Sequence, residues 1–219
     1  MKPTPSACSD EDRRTIATWN ATAADPCDGA MLHARFEAQA AQTPEEIAVV
    51  FGDDTLTYAD LNRRANRLAH LLRARSIGAE RRVGVSLRRS FDMLTAVLGV
   101  LKSGAAYVPL DPAVPAERLG YMIADAQLAL TITEPAFVET LVPHGVPLLT
   151  LDDLAAQPET NPAAAPFADA PVYITYTSGS TGRPKGIEMT QRPLLNLLGW
   201  MLRTTQFQPR ARTLQFASL

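Results

Sequence analysis

From Arg82 to Leu151 the sequence alternates short β-branched and apolar runs with helix-length amphipathic stretches, and this alternation restricts the fold more than any other feature. Arg82 to Leu87 (RVGVSL), Ala105 to Leu110, Leu128 to Thr133 and Pro147 to Leu151 read as strands. Between them, Ser90 to Leu101, Ala116 to Ala126 and a shorter stretch near Ala136 to Leu141 read as helices, the first capped by Ser90. Strands joined through helices of ten or more residues pair in parallel and place helices on both sheet faces. The predicted class is α/β, a layered and mostly parallel sheet flanked by helices.

Upstream, Leu32, Phe36 and Ala40 recur every four residues on a short helix that Thr43-Pro44 stops. Ile47 to Phe51 reads as a strand, with Gly52-Asp53-Asp54 turning it back through Leu56 and Tyr58. A longer helix over Ala59 to Arg75 carries Leu61, Ala65, Leu68 and Leu72 on one face, and Thr57 with Asp60 forms an acidic capping box at its start. Arginines and His70 occupy its other face. No aromatic residues interleave with them to stack on bases, so that face is expected to be solvated.

With 21 basic against 23 acidic side chains the net charge is −2, so no excess calls for nucleic acid or an anionic membrane. No span reaches the roughly 18 apolar residues of a membrane helix; Met93 to Leu101 comes nearest and is bounded by Asp92 and Lys102. The opening MKPTPSACSDEDRR lacks the apolar core of a signal peptide, and Cys8 and Cys27 lack the paired spacing of a zinc or redox site. Free thiols and a cytoplasmic location are expected.

Several features read as structural. His33, His70 and His144 are scattered, Asp53-Asp54 and Asp152-Asp153 fall at turns, and Asp111 fixes a turn after Val108 to Leu110. Met31, Met93, Met122, Met189 and Met201 read as packing residues. Ala155 to Pro171, rich in alanine and proline, reads as a surface connection.

Tyr176 to Gly186 (YTSGSTGRPKG) carries the chemistry. Thr177, Ser178, Ser180 and Thr181 bring hydroxyls, while Gly179, Gly182 and Gly186 let backbone N–H groups approach an anion. Lys185, one of only three lysines, adds a mobile charge after Pro184. The loop lies between the strand-like runs Val172 to Tyr176 and Ile187 to Thr190, both expected to be buried, which sets it apart from a Ser/Gly linker. Its spacing fails GxxxxGK[ST], because Pro184 and Ile187 fall where that pattern needs Gly-Lys, so a Walker-type ATPase is excluded.

At this loop the sequence resembles the adenylate-forming (AMP-dependent synthetase/ligase) superfamily. More narrowly it resembles the amino-acid adenylation domains of nonribosomal peptide synthetases, because Leu56 to Asn62 (LTYADLN), Leu101 to Pro112 (LKSGAAYVPLDP) and Pro115 to Ala126 (PAERLGYMIADA) follow that group's early motifs in order. Trp19 and Asn20, then Leu32, His33, Phe36 and Gln39, look like its opening segment. The resemblance implies ATP-dependent activation of an amino acid or other carboxylate, with Mg2+, and loading onto a phosphopantetheine carrier protein. It implies that Thr177, Ser178, Gly179, Ser180, Thr181, Gly182 and Lys185 hold the ATP phosphates.

Two departures qualify the resemblance. Thr190-Gln191-Arg192 places glutamine where the family has a titratable histidine, and the chain reaches Leu219 before the segments that carry the amino-acid pocket, the metal-binding acid and the catalytic lysine. The resulting expectation is an incomplete N-terminal lobe. Residues 1–30 would be a leader and 31–219 a partial adenylation domain with its connection at 155–171. No catalytic residue would lie before Leu219, and the C-terminal half or neighbouring synthetase domains would act as partners. The alternative is a non-catalytic nucleotide-binding or interaction module.

Overall fold

The computed structural model describes residues 9–21, 31–152, 154–163, 169–178, 183–204 and 211–215. Cys8, Cys27 and Asp153 lie outside the described residues. Helix α1 (Asp10–Asn20) starts in a reciprocal Ser9–Asp12 capping box and buries no residue, whereas α2 (Leu32–Gln42) turns His33 and Ala40 inward. Strands β1 (Ile47–Phe51) and β2 (Asp54–Thr57) form the expected antiparallel hairpin around Gly52, whose φ is +62°. Thr57 Oγ1 then accepts from the Asp60 N–H at 3.1 Å, which starts α3 (Tyr58–Ala74).

Strands β3 (Arg82–Ser86), β4 (Ala106–Pro109), β5 (Leu130–Thr133), β6 (Leu148–Leu149), β7 (Pro171–Thr177) and β8 (Lys185–Thr190) make one sheet in the order β6-β5-β3-β4-β7-β8. Every neighbouring pair is parallel except β7 with β8. Helix α4 (Phe91–Ser103) joins β3 to β4 and packs with α3 on one face, where Leu68, Leu72, Ala96 and Val100 meet Val83, Val85 and Ile132. Helix α5 (Ala116–Asp125) joins β4 to β5 on the other face, where Leu119, Met122 and Ile123 meet Val108 and Ile174. The predicted layering is therefore the observed one.

Close packing explains two glycines. A Cβ at Gly84 in the central strand would lie 2.6 Å from Thr131 Oγ1, and one at Gly99 would lie 2.6 Å from Leu68 Cδ2. Gly99 thus sets the close approach of α4 to α3. Ser90 caps α4 as predicted, its Oγ accepting from Met93 N–H at 3.2 Å.

Four expectations need correction. The ladder of β6 covers only Leu148 and Leu149, because β5 is the one strand it pairs with among the described residues. The stretch near Ala136 is a 3-10 turn (Pro135–Phe137) followed by the four-residue α6 (Val138–Leu141). Strand β8 is not buried: Lys185 to Glu188 are exposed, because the hairpin returns along the outer edge of the sheet. The basic face of α3 is not wholly solvated either, since residues 154–163 run against α3 and α4 and Asn161 accepts there from Asn62, Asn66 and Lys102.

Candidate functional site

Connections of opposite direction leave β3 and β4, so their C-terminal ends diverge to opposite faces. Open α/β sheets offer a crevice at such a point. A cavity of about 580 Å³ occupies it, lined by Val85 and Pro109 at the strand ends, Leu87 to Arg89, Leu110 to Ala113, and Phe137. Arg88 pairs with Glu134 at 2.5 Å and lies 5.7 Å over the Phe137 ring. Asp111 Oδ1 accepts from Ala113 N–H at 2.9 Å, in keeping with a role in fixing the turn.

Strand β7 reaches the same sheet edge. It is parallel to β4 with Tyr107 opposite Tyr173, and extends four residues beyond that pair to Thr177. Val172 and Ile174 anchor it in the core. The Tyr176 hydroxyl donates to Asp125 at 2.7 Å; burial, then this carboxylate, holds the phenol well above its ordinary pKa.

The hairpin ends in the Thr177–Lys185 pair, and Ser178 follows directly. Thr177, Ser178 and Lys185 are all exposed. Strand alternation puts the side chains of directly opposed residues on one face, about 5 Å apart at Cβ. A hydroxyl and an ammonium therefore flank the mouth of the loop. At Gly186, just inside it, a Cβ would come within 3.2 Å of the Tyr176 ring. Gly179, Ser180, Thr181 and Gly182 lie outside the described residues. No group of three His, Cys, Asp or Glu suited to a metal ion occurs among the described residues.

Gln191, at the start of α7 (Gln191–Thr204), is buried. Its Oε1 accepts from Leu32 N–H at 3.1 Å and its own N–H donates to Ala170 O at 3.2 Å. A neutral amide thus satisfies an orphan donor at the start of α2. Nearby, Lys102 Nζ lies 2.5 Å from Glu37 inside the protein, and burial lowers its pKa against the opposing pull of that carboxylate. Sequence reasoning missed these long-range contacts. Gln191 and Leu32 are 159 residues apart, Tyr176 and Asp125 are 51 apart, and neither pair carries a local signal.

Comparison with known proteins bears on this geometry. Residues 36–219 match the family model described as AMP-binding enzyme. The chain is 40% identical over 218 residues to chondramide synthase cmdD of Chondromyces crocatus, covering 96% of this chain and 6% of that protein. It is 44% identical over 194 residues to AMB antimetabolite synthetase AmbB of Pseudomonas aeruginosa, covering 88% of this chain and 16% of that protein. The AMPPNP-bound form of the nonribosomal peptide synthetase FmoA3 superposes with a TM-score of 0.80 at 32% identity, covering 88% of this chain and 21% of that one. A form of FmoA3 bound to alpha-methyl-L-serine-AMP superposes with a TM-score of 0.79. The chain therefore spans a small part of the length of each of these relatives.

Proposed function

The chain belongs to the AMP-binding enzyme family, and from that premise we propose that it is the N-terminal part of an amino-acid adenylation domain. Residues 31–219 form the partial domain, with a connection at 155–171, and residues 1–30 form a leader. The domain activates an amino acid or other carboxylate with ATP: a carboxylate oxygen bonds to the α-phosphorus and pyrophosphate leaves. The resulting acyl group is destined for the phosphopantetheine thiol of a carrier protein. A cytoplasmic location accompanies this reading.

The observation that carries the proposal is the exposed Thr177–Lys185 end of the hairpin at the C-terminal edge of a parallel sheet. Carboxylate and triphosphate repel each other, and hydroxyl donors with an ammonium offset that repulsion. In this reading Thr177, Ser178, Ser180 and Thr181 donate to phosphate oxygens, while Gly179 and Gly182 admit backbone N–H donors. Lys185 supplies the charge. Mg2+ and the remaining catalytic groups are held by segments beyond this chain, so the chain alone does not turn over.

Amino-acid-dependent pyrophosphate exchange tests the proposal. The chain alone gives none; fused to the downstream part of a related adenylation domain, it gives exchange that Lys185→Ala or Thr181→Ala lowers about ten- to a hundredfold through ATP use. Unchanged exchange in both variants refutes the phosphate assignment. A fusion that folds and binds ATP without exchange favours the non-catalytic module.

A further inference from the structure

The chain leaves the sheet at β6 on one edge and re-enters at β7, four strand positions away, a crossing of about 19 Å. Residues 159–163 make this crossing as a strap bound to α3 and α4. Asn161 Oδ1 accepts from Asn62 Nδ2 and Asn66 Nδ2 at 3.0 Å each and from Lys102 Nζ at 3.1 Å. On either side, Arg67 pairs with Glu159, His70 Nε2 lies 2.8 Å from Thr160 O, and Arg73 Nη1 donates to Ala163 O at 2.7 Å. Asn66 and Lys102 are almost fully buried, and the strap supplies acceptors to both, so its departure would leave them under-satisfied.

We infer that Asn161 is a positioning residue: it latches the crossing strap onto α3 and α4 and thereby sets where β7 and its hairpin join the sheet. Leu154 is already fixed in the core with α3 and α4, so sixteen residues separate it from Pro171 of β7, but only seven separate Ala163 from Pro171. Closure entropy grows with the logarithm of loop length, so fixing the strap favours docking of β7 by about threefold. The inference rests on the proposed function only for its consequence, that the latch holds the phosphate-binding hairpin in place.

Amide hydrogen exchange of the chain without nucleotide tests the latch separately from the phosphate loop. Asn161→Leu should speed exchange in residues 159–163 and about threefold in β7 and β8, leaving α3 and β3 protected. Asn161→Asp, whose carboxylate can still accept from Asn62, Asn66 and Lys102, should restore wild-type exchange. Faster exchange confined to the strap, an equal rise across α3 and β3, or failure of Asn161→Asp to restore protection each overturns the inference. If Asn161→Leu does not fold, Asn62→Ala removes one donor and should give a smaller rise with the same distribution; a different distribution overturns the latch equally.

Discussion

At the scale of single residues, Lys102 and Glu37 show how burial changes the value of a charge pair. The Lys102 side chain has no exposure and that of Glu37 has 18%, so water can compensate neither loss well. Removing one partner leaves a desolvated ion, whereas removing both leaves neither charge unpaired. Glu37→Gln should therefore cost about 3–5 kcal/mol in urea unfolding, and Lys102→Met combined with Glu37→Leu distinctly less. A larger loss in the double variant would contradict the argument. His33 beside them is held below its ordinary value of 6.5 chiefly by burial, with Lys102 and Arg73 adding to the shift and Glu37 opposing it. Because the folded pKa is depressed, protons favour the unfolded chain: stability is retained above pH 6.5 and lost as pH falls through the folded value. His33→Gln should flatten that loss in melts run between about pH 7 and pH 5. From the sequence His33 reads as structural, but the charges that act on it from Lys102 of α4 and Arg73 of α3 come from elements well along the chain.

At the scale of elements, the sequence reveals most where a segment's neighbours are implied by its own period. Strand β3 has Val83 to Ser86 buried on both faces, and the apolar run RVGVSL announces it. Its glycine is the position least tolerant of change, because an added methyl meets Thr131, Leu110 and Leu128 side chains, all within 3.0 Å. Gly84→Ala should lower stability by about 1–3 kcal/mol by denaturant midpoint, while Ser90→Ala, which loses only the cap of α4, should cost about 1 kcal/mol. Equal effects would mean that the core around β3 yields more easily than its packing indicates. What the sequence hid was relational. Nothing in KGIEMT distinguishes an exposed edge strand from a buried one, and nothing in ETNPA shows that α3 and α4 bind it. The proposed phosphate loop could be read from the sequence because its hydroxyls, glycines and lysine are contiguous, whereas the cavity between β3 and β4 is assembled from three separated segments.

At the scale of the whole molecule, α7 is the element whose sequence and surroundings disagree. QRPLLNLLGWMLRT is apolar around most of its circumference, a composition suited to an interior helix. Gln191, Leu195 and Gly199 are buried, yet Leu197, Leu198, Trp200 and Leu202 are exposed, and Ile187 on β8 is exposed as well. Scattered apolar side chains on a surface need no explanation, but a cluster on one helix next to β8, an edge strand among the described residues, is a surface suited to cover by a further stretch of polypeptide. The proposed adenylation domain supplies one, since this chain accounts for 21% of the FmoA3 chain it superposes on. Trp200→Glu with Leu202→Glu should therefore leave the melting temperature of the chain nearly unchanged, because both side chains are exposed. The same pair should abolish pyrophosphate exchange when the downstream part is supplied as a separate polypeptide, because docking then has no covalent tether to compensate for the lost apolar contact. Wild-type exchange by that split variant would show that α7 faces solvent in the working enzyme, and the covering polypeptide would have to lie elsewhere.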